Sequence, residues 1–334
     1  MLNRIINSSS KLLDNKNITI LSQVISWTIG LIIAVFLFLQ VDINIIKEAF
    51  YKAYIIPFII IICSFVLFWL FFETYNLYLL IKYYGYKTLY KDILILRSAT
   101  YLLMLINYNL GIGGILLGLS IKHKINIANS TSIVALYSLT DILSLSALTL
   151  ISTAFICCYT QKKVYIILLI ISFLLVLLLL FLYFIFHNSK LSKQFKNRIA
   201  KKIISFISDE LSKLKKTDLL KIILLRMTYF LTFIIFFHFT LPLFHIHIPF
   251  IWLAALVPPI FFIGNLPITP AGIGTIQAAM LFFFKSFGQY EDILLFSICY
   301  TTFLLLTRLL LGLFSILFID RSSQPLKKYV DQKN

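Results

Sequence analysis

Charged side chains are scarce in this sequence. They make up 13% of its 334 residues, and only 13 of those residues are Asp or Glu against 30 Lys and Arg. A soluble domain carries about a quarter charged residues, so the shortage excludes an ordinary water-facing surface. With 60% hydrophobic and 16% aromatic residues, the chain reads as an integral membrane protein. Setting its apolar runs aside leaves no soluble domain, since the longest polar stretch is His187–Lys221. Cysteine is equally sparse. Cys63, Cys157, Cys158 and Cys299 lie in or beside apolar runs without metal-ligand spacing, which marks them as small hydrophobes. Neither metal nor cofactor is expected. HExxH, DxD and nucleophile motifs are missing too, so the expectation is a protein that is not an enzyme. The net charge of +17 is read as cytoplasmic loops facing anionic lipid, not as a nucleic-acid surface.

What is present is a series of apolar runs near Ile18–Leu39, Tyr54–Ile81, Ile93–Ile121, Ser130–Tyr159, Val164–Phe186, Ile222–Leu241, Ile248–Phe284 and Ile293–Ile319. A span needs about 20 residues, and most runs reach that. The first is too long for a signal-peptide core and lacks a small-x-small cleavage site after it, so it is expected to stay as a span. The segment His187–Lys221 holds ten Lys and Arg against three acids, which puts it in the cytoplasm. Basic residues in both tails place both termini there as well. Counting crossings from these anchors leaves Ile93–Ile121 starting and ending inside, and Ile248–Phe284 starting and ending outside. Each must therefore go in and come back. Lys162 and Lys163 fall outside on this layout, against the general trend.

The turns of the two hairpins fall on clusters of helix breakers, NYNLGIGG at Asn107–Gly114 and GNLPITPAGIG at Gly264–Gly274. The expectation is one integral membrane domain over residues 1–334, all-α and polytopic, with about six full spans and two broken re-entrant hairpins. Residues 18–159 form a first repeat and 164–319 an inverted second one, and 187–221 is a basic amphipathic connector in the cytoplasmic interface. Gly/Pro-interrupted segments at matching places in inverted halves point to a transporter's substrate site. Asn107, Asn109 and Gly113 at the first break, with Asn265, Pro267, Thr269, Pro270, Gly272 and Gly274 at the second, are its candidate residues. Helix N-termini expected near Ile112 and Ile273 would offer free N–H groups to a phosphate or carboxylate. Arg308, near the middle of the last span, costs at least ~2.5 kcal/mol there and needs a partner or an anionic ligand. Glu73 and Asp141, the two acids at membrane depth, serve either structural pairing, as with Arg308, or ion and proton coupling. Arg97 and Arg226 are expected near the cytoplasmic face, snorkelling.

The second break, with Pro267, Thr269, Pro270, Gly272 and Gly274, resembles the Pro-x-Thr-Pro-Gly-Gly-x-Gly signature of the lysylphosphatidylglycerol synthase transmembrane-region family. Ala271 stands where that family has glycine. TYNLYLLIKYYG and SIVALYSLTDILSL, with Asp141, resemble two of its spans, and Arg308 resembles an arginine of its last one. The likeness covers roughly residues 20–320. At the first break the family's Gly-Glu pair and following arginine are missing, since GIGGILLGLS carries no charge. The resemblance implies a flippase, moving an anionic phospholipid or a lipid-linked headgroup such as a polyprenyl phosphate between leaflets of the bacterial inner membrane. Lipid aminoacylation is not implied. The alternatives are an intramembrane glycosyl or phospholipid-headgroup transferase, or a non-transporting partner of an envelope-biogenesis enzyme. Membrane lipids are the expected partners, with a homo-oligomer or such an enzyme as further ones.

Overall fold

The computed structural model describes residues 28, 43–106, 108–159, 163–187, 216–265, 269 and 272–319. The run Ile18–Leu39 apart from Thr28, most of the connector at 187–221, and Asn107, Pro267 and Pro270 lie outside those residues. Among the described residues every regular element is helical. In chain order these are α1 (Ile43–Lys52), α2 (Ile55–Tyr83), α3 (Tyr90–Ile106), α4 (Tyr108–Ile121), α5 (Ile127–Tyr159) and α6 (Lys163–His187). There follow α7 (Lys216–Thr240), a 3-10 turn at Leu241–Phe244, α8 (Phe250–Gly264), α9 (Thr275–Phe284) and α10 (Tyr290–Ile319). Four helices are long and apolar enough to cross a bilayer: α2, α5, α7 with its 3-10 extension, and α10. The protein is a multi-pass membrane protein.

These helices are apolar outside and polar inside. Ile56, Ile60, Leu67 and Phe71 on α2, with Leu310, Leu313, Phe314 and Leu317 on α10, are exposed. Thr140, Ser144, Thr149, Ser152 and Thr153 on α5 are buried. Their hydroxyls are tied to backbone carbonyls, as Thr153 is to Thr149 at 2.7 Å and Thr149 to Leu145 at 2.8 Å. A hydroxyl satisfied in this way can face a low-dielectric interior without an unmet hydrogen bond. Ser144 also donates to the carbonyl of Ile223 on α7 at 3.3 Å. Trp69 stacks on Phe233 at 4.1 Å and donates its indole N–H to Thr232 at 3.0 Å, locking α2 to α7.

The two interrupted runs fold back on themselves. Along α4, Gly111 abuts Met104, Gly114 abuts Thr100 and Leu103, and Gly118 abuts Leu96, all on α3. The partner's number falls as the glycine's rises, so α3 and α4 run antiparallel at a separation that a Cβ would prevent. Gly113 faces open space. The helix that was expected to start near Ile112 starts at Tyr108, because the glycines face a neighbouring helix and do not break the chain. In the second pair, Gly264 at the end of α8 packs on Ile276 near the start of α9. Between them Gly272 and Gly274 take φ values of +72° and +86°, a left-handed backbone that side-chain-bearing residues disfavour. The arms contain 17, 14, 15 and 10 residues, about 26, 21, 22 and 15 Å of helix.

Packing crosses between the halves. The first arm of each pair lies against the long helix that closes the other half, α3 on α10 and α8 on α5. The second arm lies against the long helix that follows it, α4 on α5 and α9 on α10. α2 and α7 pack on each other at the centre. One element was not foreseen: α1 is a short helix in the stretch read as the first outer loop, and it packs on α10.

Candidate functional site

The second break is largely self-satisfied. Asn265 caps the end of α8, its side-chain amide donating to the Phe261 carbonyl at 2.8 Å. The Thr269 and Thr275 hydroxyls lie 3.1 Å apart, and Thr275 donates to the Gly272 carbonyl at 3.0 Å. The Gly274 N–H donates to the Gln277 side-chain carbonyl at 2.7 Å, half of a capping box, since glycine has no side chain to complete it. Gln277 in turn donates to Thr301 on α10 at 3.0 Å. Thr269 and Gln277 are buried. The polar groups of Asn265, Thr269, Gly272 and Gly274 thus hold a tight turn and anchor it to α10. At the first break Asn109 is exposed in the opening turn of α4.

The charged residues tell more. Arg97 and Arg226 do not snorkel. They are 4% and 1% exposed, and each lies in the middle of its helix. The distance to the end of an apolar run misjudged their depth because both have partners on neighbouring helices. Arg97 Nη2 donates to Glu73 at 2.7 Å. Tyr101 and Tyr229 donate to the same carboxylate at 2.9 and 2.8 Å, so Glu73 accepts from α3 and α7 at once. Arg226 Nε lies 2.8 Å from Asp141 Oδ1. That contact is close but not aligned, and neither atom makes a hydrogen bond. Both acids therefore pair, but with Arg97 and Arg226 and not with Arg308.

Aromatic rings separate the three guanidinium groups. Arg308 and Arg97 each lie 5.1 Å from the centre of the Tyr101 ring. Arg97 and Arg226 lie 5.9 and 4.1 Å from the centre of the Tyr137 ring. The order Arg308, Tyr101, Arg97, Tyr137, Arg226 forms a ladder in which each cation rests on a π face, worth about 0.5–2 kcal/mol per contact. Three guanidinium groups thus share two carboxylates. Arg308 has no carboxylate within 4.0 Å among the described residues, and its Nε lacks a hydrogen-bond partner, as do Nε and Nη2 of Arg226 and Nε of Arg97. Arg308 sits with the first arm of the first pair, since Gly312, one turn on, packs against Leu102 of α3.

The family model for the lysylphosphatidylglycerol synthase TM region matches residues 21–312. The chain belongs to that family. Comparison with curated proteins finds no match. Membership in the lysylphosphatidylglycerol synthase TM-region family points to a role at membrane lipids, and the ladder supplies cations at the depth where a lipid-borne anion would need them. Arg97, Tyr101, Tyr137, Arg226 and Tyr229 were missed as site residues. The signal for them exists, because Arg97 and Tyr101, Tyr137 and Asp141, and Arg226 and Tyr229 stand three or four residues apart, on one helix face each. A cavity of about 310 Å³ lies elsewhere, between His238, His247 and Phe237, roughly 16 Å along α7 from Arg226. Its lining is mostly apolar and none of the ladder reaches it.

Proposed function

We propose that the protein moves an anionic phospholipid, or a lipid with a phosphate-linked headgroup, between the leaflets of a bacterial inner membrane. The observation that carries this reading is the unmatched charge of the ladder, three guanidinium groups against two carboxylates, with Arg308 left over. A buried cation without a counter-charge is costly in a bilayer, and an anionic headgroup would complete the set. On this reading transport is the activity, and the chain is not an enzyme.

The way the helices pack supports alternating access. Each arm of the folded-back pairs is shorter than about 20 residues, which favours re-entrant hairpins meeting near the midplane. The contacts of α3, α4 and α5 recur among α8, α9 and α10, consistent with an inverted repeat of 18–159 and 164–319. Rocking of one repeat against the other would then open the ladder to each leaflet in turn. Asn107, Asn109, Gly113, Asn265, Pro267, Thr269, Pro270, Gly272 and Gly274 would shape the hairpin tips, and Arg308 would hold the headgroup.

The test is transport of headgroup-labelled anionic and polyprenyl-phosphate lipids in proteoliposomes, with leaflet access read by chemical reduction of the label. The protein should speed equilibration, and Arg308→Ala and Gly272→Leu proteins should lose the effect. If no such lipid is moved faster, the transferase or scaffold reading takes its place.

A further inference from the structure

The two carboxylates of the ladder are held very differently. Glu73 accepts hydrogen bonds from Arg97, Tyr101 and Tyr229, and its side chain is 7% exposed. Those three donors fill the carboxylate and leave it no room for a proton of its own. Asp141 has one close neighbour, Arg226 Nε, in a contact without hydrogen-bond alignment, and its side chain is 22% exposed. The acid that water can approach is thus also the one whose ion pair is incomplete.

We propose that Asp141 is a proton-binding site whose occupancy is coupled to that of the anion seat formed by Arg308 and Arg226. The proposal rests on the transport reading above. Every charged group around Asp141 enters the argument. Arg226 and Tyr229 face it from α7, Tyr137 from its own helix, Tyr108 from α4, Arg97 from α3 and Glu73 from α2. Helix α8 brings no titratable side chain. The described titratable side chains of α6, Lys163 and Tyr165, lie at the turn after α5, about 27 Å along that helix from Asp141. With Asp141 ionised, the ladder carries one positive charge in excess. A proton taken from water onto the carboxylate releases Arg226 from its counter-charge. Arg226 stays on the Tyr137 face, the excess becomes two charges, and the seat holds an anion more firmly. By linkage, a bound anion favours the proton to the same degree. Anion and proton then travel together, and the lipid's negative charge crosses the membrane partly neutralised.

The experiment measures binding of short-chain phosphatidylglycerol to the purified full-length protein in detergent, from about pH 8 to about pH 5.5. Proton uptake is followed in parallel with a pH-sensitive dye in weak buffer. The wild type should bind on the order of tenfold tighter at the acid end, as one added charge some 8 Å away implies at an effective dielectric of about 20. It should also take up protons when lipid is added. Asp141→Asn should bind tightly at every pH without proton uptake, and Asp141→Glu should restore both. Elution volume and tryptophan fluorescence show whether each variant is folded; if Asp141→Asn is not, the wild-type proton uptake decides. Binding without pH dependence or proton uptake overturns the proton site and leaves the transport reading in place. No binding at any pH overturns both.

Discussion

Replacing Glu73 by glutamine separates a charge effect from a shape effect. The amide fits the same space, but it presents an N–H₂ group where the carboxylate accepts from Arg97, Tyr101 and Tyr229 at 2.7–2.9 Å. At least one of those donors then meets another donor. Arg97, only 4% exposed, loses its one ion-pair partner among the described residues. Removing one member of a buried ion pair costs about 3–5 kcal/mol, most of it the penalty of the charge left behind. Tyr229→Phe removes a single hydrogen bond from the same carboxylate. In a membrane interior such a loss averages about 0.6 kcal/mol and reaches about 1.7. Glu73→Gln should therefore destabilise several times more than Tyr229→Phe. Unfolding by SDS titration in mixed micelles measures both, with Trp69, one turn from Glu73, as fluorescent reporter. Arg97→Gln closes a double-mutant cycle, and the double variant should be milder than the two single losses added together by about 2 kcal/mol or more. Equal costs for Glu73→Gln and Tyr229→Phe, or an additive cycle, would refute the buried ion pair as the anchor of the ladder.

Arg308→Gln should be nearly neutral or stabilising in the same titration, within about 1 kcal/mol, because it removes a buried cation that no carboxylate offsets. Gly114→Leu should cost about 1–3 kcal/mol or more, since a Cβ there already stands 2.5 Å from Leu103 Cδ1. Gly113→Ala, with nothing within 4 Å of its Cβ, should change unfolding by less than about 0.5 kcal/mol, and the two variants are compared side by side. His123 lies in the turn between α4 and α5, where burial holds its imidazole below the ordinary value of 6.5 and its Nε2 lacks a partner. The folded state resists protonation there, so the stability it gives is full above about pH 6.5 and falls as pH drops below that value. His123→Gln should flatten the slope of stability against pH in that window.

Hydropathy located the long helices well. The runs at Tyr54–Ile81, Ser130–Tyr159 and Ile293–Ile319 match α2, α5 and α10 to within about three residues, because a bilayer leaves the backbone few choices. Counting lysines and arginines across loops found both folded-back pairs, since a run with basic ends on the same side cannot cross once. The glycines of the first pair were read differently from what they do: Gly111 and Gly114 admit α3 at close range, while the chain turns before them. α1 was missed because ten residues of mixed polarity give no strong signal. Which acid meets which arginine was not legible. That pairing depends on how α2, α3, α5 and α7 come together, and residues such as Glu73 and Tyr229 are 156 positions apart.

The exchange of arms between the halves has a consequence for synthesis. Tyr101 meets Arg308 only after the 206 intervening residues have been made, and translation at about 5–20 residues per second takes roughly 10–40 s over that length. Throughout that interval α3 is in the bilayer without the helix against which it will finally pack, its Arg97 and Tyr101 dependent on α2 alone. The nascent first half is thus a natural client for insertion chaperones. A chain truncated before α10 would leave the polar face of α3 bare, a mark by which membrane quality control could recognise it.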